Sequence, residues 1–267
     1  MLSIVVCTRS PDTATAHRTH VAHTIGCEHE YIPIHNPHGA MGLGEAYNHG
    51  VDCAGGEVVV FVHDDVFFIA PGWGVVVEGK FAADPSLGAA GVAGTSYLSR
   101  TQPLWCSAGR PFIHGRVVHH ERSTDRCLLT VFCSHEHDCE VVAADGLFLA
   151  VRRDLFSQVR FDAATFDRFH FYDLDLCMQI RPLARLIVTP DVMVKHFSGG
   201  SFGEEWVHYA ARFAGKYVRE LPASCTNESP GEQREGFDAL DCNQILHPRT
   251  AAAIRRVGLE PPRGSTM

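Results

Sequence analysis

Three neighbouring side chains, His63, Asp64 and Asp65, could hold a divalent cation, and they follow directly on the apolar run Val58-Val59-Val60-Phe61-Val62. Adjacent carboxylates repel one another, and a cation removes the conflict. Oxygen-rich ligation suits Mg2+ or Mn2+, and a histidine tilts the choice towards Mn2+. The plainer alternative is a solvated turn, since Asp is common in turns. Asp173 stands where an aromatic-rich loop meets a helical pattern. It reads either as a helix cap or as a general base whose aromatic neighbours narrow its pocket. Asp145 interrupts the apolar segment VVAADGLFLAV at 141–151. A carboxylate there is costly unless partnered, which makes it a site candidate; Asp145-Gly146 can also be a bulge or turn. His196 follows an apolar strand pattern and precedes a glycine pair, so it reads as a metal ligand or as a polar loop residue. His135 and His137 lie in S-H-E-H-D-C-E. They would share a face in a strand, but without a spaced second pair the segment reads as a solvated loop or strand edge.

The elements that must position these groups are legible around them. Leu43, Ala46, Tyr47, Gly50, Val51 and Ala54 form one helical face. Gly55-Gly56 is expected to end that helix through a positive φ. The uninterrupted run 58–62 suits a parallel strand covered on both faces, and ligands gather at the carboxyl ends of such strands. Ser3-Ile4-Val5-Val6-Cys7 is a first buried strand, followed by Thr8-Arg9-Ser10-Pro11, which can meet a base or phosphate or be a plain loop. A helix is expected over 12–25 and a strand over 30–34. The resulting β-α-β-α-β order argues for a parallel sheet with right-handed crossovers.

Further helices are expected over 71–81, with Pro71 at the first position, over 174–180, and after a capping box Ser201-Phe202-Gly203-Glu204. Strands are expected over 87–93, 185–188 and 192–194. Residues 101–140 read as an irregular or hairpin segment. From 221 the composition turns polar, giving a tail with one short helix over 249–257 and a disordered end.

The chain has 267 residues, 45% hydrophobic and 20% charged, as in an ordinary globular protein. A net charge of −8 argues against a nucleic-acid surface. The 17 histidines make that charge pH-dependent near pH 6. The 10 cysteines include no CxxC pair, which suits free thiols in a reducing compartment. No segment is long and apolar enough to span a membrane, and the apolar start lacks a basic n-region, so it reads as a strand rather than a signal peptide. The expected location is cytoplasmic, with peripheral attachment at the inner membrane face as a second option.

In order and spacing, several motifs resemble the inverting GT-A glycosyltransferases of family 2, within a glycosyltransferase-like branch. They are SIVVCT at the start, N-x-x-G-x-x-G-x-G-E-A-Y-N-x-G from Asn36, A-G-G-E-V-V-V-F-V-H-D-D-V from Ala54, D-G-L-F-L-A-V-R-R-D-L-F from Asp145, Y-D-L-D-L-C from Tyr172, and V-K-H-F-S from Val194. The resemblance covers about residues 1–200.

It implies an α/β GT-A fold, with a mostly parallel central sheet flanked by helices. The expected layout is a domain over 1–220, with a nucleotide-binding half over 1–100 and an acceptor half over 101–220, followed by the extension 221–267. It implies a metal site of Asp65, His196 and His63, holding Mn2+ or Mg2+. Thr8, Arg9, Asn36 and Asp64 fall in the nucleotide-binding region. Asp173 matches the catalytic base, and Asp145, Gly146 and Tyr172 the acceptor side. Two residues depart from the family pattern: His63 replaces the first aspartate of D-x-D, and Tyr172 the glutamate of an E-D pair. The implied donor is a nucleoside-diphosphate sugar, with UDP-sugars favoured, and the acceptor a glycan, a lipid-linked glycan or a protein, in a hexosyl-type transfer. The alternatives are a non-catalytic nucleotide-sugar or glycan-binding relative, a nucleotidyltransferase, and a zinc protein using His135 and His137.

Overall fold

The computed structural model describes residues 1–121, 126–198, 202–231 and 236–241. Its elements run β1 (Leu2–Thr8), α1 (Pro11–Thr24), β2 (His29–His35), α2 (Leu43–Cys53), β3 (Val58–Val62), β4 (Val66–Phe68), α3 (Trp73–Ala83), β5 (Leu87–Gly91), β6 (Ala93–Thr95), β7 (Tyr97–Leu98), β8 (Ile113–Glu121) and β9 (Arg126–Val131). They continue with β10 (Cys139–Glu140), β11 (Ala143–Ala144), β12 (Phe148–Arg152), α4 (Tyr172–Ile180), β13 (Arg185–Val188), β14 (Val194–His196), α5 (Glu204–Lys216), β15 (Ala223–Ser224) and β16 (Asp238–Asp241).

One sheet has the order β10-β13-β5-β12-β3-β1-β2. Every residue of β3 is buried, as its unbroken apolar run requires. β3 lies parallel to β1 but antiparallel to β12. The α/β class therefore holds, but the pairing is evenly mixed rather than mostly parallel. β2-β1, β1-β3 and β13-β5 are parallel, while β12 opposes both neighbours and β10 opposes β13. A second sheet runs β11-β6-β8-β14-β4, with β9 beside β8 and β16 beside β9. The expected hairpin at 101–140 is β8-β9.

Short connections at which the chain passes between the two sheets include 63–65 from β3 to β4, Val92 from β5 to β6, and 145–147 from β11 to β12. The first and third carry residues singled out above. Helix α2 packs on β1 and β2, α3 on β5, and α4 on β11, β13 and β5.

Several local expectations change. The helix α2 ends at Ala54 in extended backbone, and neither Gly55 nor Gly56 has a positive φ. Gly56 is needed for close approach instead: a Cβ there would meet Met1 O and Ser3 Oγ at 2.7 Å. The strand expected over 87–93 breaks at Val92, where the chain changes sheet. Helix α3 begins at Trp73 after Gly72 at φ 84, two residues beyond Pro71. Helix α5 is capped by Gly203 with no side-chain bond, and Ser201 of the expected box lies outside the described residues. The described residues between 221 and 241 return to the body rather than forming a free tail. Leu221 and Ala223 are buried, β15 pairs with β7, and β16 pairs with β9. The helix expected over 249–257 and the disordered end lie outside the described residues.

Helix α5 is tied to α4 by a buried charge. Asp175 is fully buried and meets Lys216 Nζ at 2.6 Å, the Tyr217 hydroxyl at 2.7 Å and Gln179 Nε2 at 2.7 Å. Removing one partner of a buried pair costs roughly 3–5 kcal/mol. Lys216→Met is expected at the low end of that range, because two neutral donors to Asp175 remain. Urea unfolding at fixed m-value checks it, and an unchanged midpoint would show the pair contributes nothing net.

Candidate active site

At the carboxyl end of β3 the chain turns through His63-Asp64-Asp65 into β4. β14 runs antiparallel to β4 and parallel to β8, with His196 opposite Val66 on one side and His119 on the other. That register brings His196 back to the turn. One ligand atom each from His63, Asp65 and His196 lies within 4.8 Å of the others. His196 Nε2 sits 3.4 Å from Asp65 Oδ1 and 2.9 Å from Ser198 Oγ. The other ring nitrogen of His196, Nδ1, is buried with no hydrogen-bond partner.

Burial alone would raise Asp65, but the His196 hydrogen bond and the two imidazoles outweigh it and hold the carboxyl at about 2. Asp64 is shifted the other way, by burial and by Asp65. Burial and His196 together push His63 down, so it is neutral near pH 7. A carboxylate held ionised beside two imidazoles is a donor set suited to a divalent cation. The three expected metal residues are thus brought together, and they fit Mn2+ or Mg2+.

Two clefts open from this turn. One, of about 570 Å3, is lined by Cys7, Arg9, Asn36, Asp64, Asp65 and Arg168 among others. Its volume suits a nucleotide-sized ligand. Arg9 lies on this cleft, and Thr8 is buried behind it beside Asp64. Asn36 also lines it, but its amide is doubly bonded to the Met41 backbone, at 2.9 Å each way, and so shapes the loop. The second cleft, of about 490 Å3, is walled by Trp105, Phe132, Phe171 and Trp206, with Asp145 and Asp173 facing it. His63, Phe169 and Ser198 border both clefts.

Asp173 lies inside the first turn of α4, whose cap is Phe171 at φ 67. The cap reading of Asp173 therefore does not hold. A buried aromatic in the left-handed region is strained, and such strain persists where the surrounding packing enforces it. Asp173 accepts from Gly146 N at 2.8 Å and from Leu174 N at 2.9 Å. Burial and the neighbouring Asp145 raise it to about 7. Gly146 orients this carboxylate rather than reaching outward; a Cβ there would strike Tyr172 and lie 2.8 Å from Asp173 Cβ. Asp145 sits in the turn between β11 and β12, partnered by Trp105 Nε1 at 2.7 Å and Leu147 N at 2.9 Å.

The two departures from the family pattern meet. Tyr172 Oη lies 2.8 Å from His63 Nε2. An imidazole–phenol pair thus stands where the family pattern would have two carboxylates. Sequence reasoning missed His119, whose ring lies 5.8 Å from that of His196 and which burial and His196 lower to about 4. It also missed Arg168, Phe169 and Trp105. Only the β8-β14 pairing could have flagged His119, because in sequence it sits within a charged run. His135 and His137 are exposed on the loop between β9 and β10 and join neither cleft.

Comparison with known proteins identifies the family and the fold. The profile of the "Glycosyltransferase like family" matches residues 3–217, and the chain belongs to that family. A curated relative from Fuscovulum blasticum, "ATP synthase subunits region ORF 6", is 28% identical over 170 residues, 62% of each chain. Among solved structures, the mannosyltransferase PcManGT from Pyrobaculum calidifontis, in complex with GDP-Man and Mn2+, superposes with a TM-score of 0.52 at 13% identity, over 86% of this chain and 65% of its own. GalNAc-T7 with UDP, GalNAc and Mn2+ gives 0.51 at 11% identity, over 79% of this chain and 47% of its own. The chain therefore spans less than two thirds of each of these relatives. The shared fold is the GT-A fold. Among the described residues no helix is long and apolar enough to cross a membrane.

Proposed function

We propose that this chain is a metal-dependent inverting glycosyltransferase. It moves a sugar, a hexose in the favoured case, from a nucleoside-diphosphate sugar to an acceptor hydroxyl, with UDP-sugars the favoured donors. The observation that carries this reading is the pair of clefts meeting at His63, one lined by Asp64, Asp65 and Arg9, the other faced by Asp173. Both solved neighbours hold Mn2+ and a nucleotide or nucleotide sugar, which supports assigning the first cleft to the donor.

Asp65, His196 and His63 would hold the cation. When bound, Mn2+ or Mg2+ supplies Lewis-acid neutralisation of pyrophosphate charge. Thr8, Arg9, Asn36 and Asp64 position the nucleotide, with Arg168 adding positive charge. Asp173 takes the acceptor hydroxyl proton as the new C–O bond forms, while the bond to the diphosphate oxygen breaks on the opposite face. A single displacement of this kind inverts the anomeric centre. Gly146 holds Asp173 in place through its N–H, Asp145 raises the pKa of Asp173 by its charge, and Tyr172 fixes the His63 ring. The aromatic wall of the second cleft suits the apolar faces of a glycan, carried free, on a lipid or on a protein.

Proton NMR of the product from a UDP-sugar screen tests this. Transfer with an anomer opposite to the donor's supports it; retained configuration contradicts the assignment of Asp173 as a lone base. A second reading, binding without turnover, is favoured by the His63–Tyr172 pair, which replaces two family carboxylates. Tight nucleotide-sugar binding with no transfer to any acceptor would support it.

The base must be ionised to work, so kcat/KM is expected to rise with pH through the pKa of Asp173, which burial and Asp145 hold at about 7. Asp145→Asn removes the second of these causes. The acidic limb of the pH–rate profile should then move to lower pH, and a limb that stays in place would show that Asp145 does not act on Asp173.

A further inference from the structure

A second group of metal-capable side chains lies away from both clefts. His114 on β8, Cys133 just after β9 and Cys139 on β10 each bring one ligand atom within 4.8 Å of the others. His114 is only 8% exposed and Cys133 only 9%. His114 Nε2 meets Ser96 Oγ at 3.2 Å, whereas its Nδ1 is buried with no hydrogen-bond partner. Both sulfurs are free thiols. Their polar contacts are weak: Gly115 N reaches Cys133 Sγ at 3.5 Å, Cys139 Sγ reaches His137 O at 3.6 Å, and the two thiols meet each other. An orphaned imidazole nitrogen beside two thiols is costly as it stands and suits a soft, tetrahedral cation.

We propose that His114, Cys133 and Cys139 form a structural zinc site, distinct from the cation site at Asp65. The fourth position falls to His135 or His137, exposed on the short loop joining the two cysteines, or to water. Binding releases the two thiol protons to solvent, and two thiolates neutralise the Zn2+ charge. Two imidazoles and two thiolates make a common closed structural set.

The site has a mechanical consequence. Cys139 belongs to the sheet of β10 and β13, while His114 and Cys133 belong to the β8-β9 hairpin of the other sheet. A metal there ties the β10 edge of the first sheet to the β8-β9 hairpin of the second. It also fixes Phe132, next to Cys133, whose ring lies 4.7 Å from Trp105 in the acceptor-side wall. Trp105 in turn donates to Asp145.

The full chain, produced reduced with zinc in the medium and dialysed, tests this by metal analysis. The Asp65→Asn variant serves as background, so that the donor-side site does not contribute. One equivalent of zinc is expected to remain on that background and to be lost when Cys139→Ser is added. Zinc retained in the double variant would overturn the proposal, as would its absence from the Asp65→Asn protein. Co2+ added to the apo protein needs no cysteine variant and so guards against misfolding. A thiolate-to-Co2+ charge-transfer band with intense tetrahedral d–d absorption is expected. A spectrum with only weak octahedral bands would contradict the site. So would a Cys133–Cys139 disulfide found by alkylation and mass spectrometry of freshly purified protein.

Discussion

Asp173→Asn is expected to lower kcat by roughly 10²–10⁴-fold, the usual contribution of a positioned general base, while the affinity for UDP with Mn2+ stays within about twofold of wild type. The split follows from the two clefts. Asp173 faces the aromatic one and takes no part in lining the one with Arg9 and Asp64. Gly146 N and Leu174 N donate to different carboxylate oxygens, so the single amide oxygen keeps one of these bonds and the variant loses the other, a cost of about 1–3 kcal/mol that leaves α4 in place. The amide cannot take up the acceptor proton. Steady-state rates and calorimetric titration on the same preparation separate the two effects. A variant with wild-type transfer would reduce Asp173 to a residue that merely stabilises the turn at Gly146.

The mirror-image result is expected for Asp65→Ala. The Mn2+-dependent part of nucleotide binding should vanish, a loss larger than the roughly 10–100-fold that removing a mere outer-shell partner costs. Asp65 is the only carboxylate in the group with His63 and His196, and the His196 hydrogen bond with both imidazoles keeps it ionised at about 2. Without it, two imidazole rings face the cation with no anionic ligand from this group. Binding measured without metal should change little. Titration curves identical to wild type with Mn2+ present would place the cation elsewhere.

Much of the site was legible because its pieces are local. A buried strand followed by His-Asp-Asp, and an aspartate opening a helix, are patterns within a few residues, and β3 and α4 form where expected. The order of strands and helices around them pointed to the α/β class. What stayed hidden depends on pairing between distant segments. His119 reaches His196 only because β8 and β14 lie side by side. His63 and Tyr172 looked like two separate departures until the fold placed them 2.8 Å apart. The mixed character of the sheet has the same origin: β12 opposes β3 and β5, and no run of hydrophobic residues states its direction. The histidines at 135 and 137 drew attention as a motif, yet the buried group beside them draws on His114, about twenty residues earlier.

The central claim, a cation-dependent nucleotide site at the end of β3, is tested most directly by titrating UDP, then GDP, into the wild-type protein with and without Mn2+. One nucleotide is expected to bind with Mn2+ and to lose most of its affinity without it, with UDP the stronger. No heat from either nucleotide in the presence of Mn2+ would contradict the account and leave the fold without its donor site.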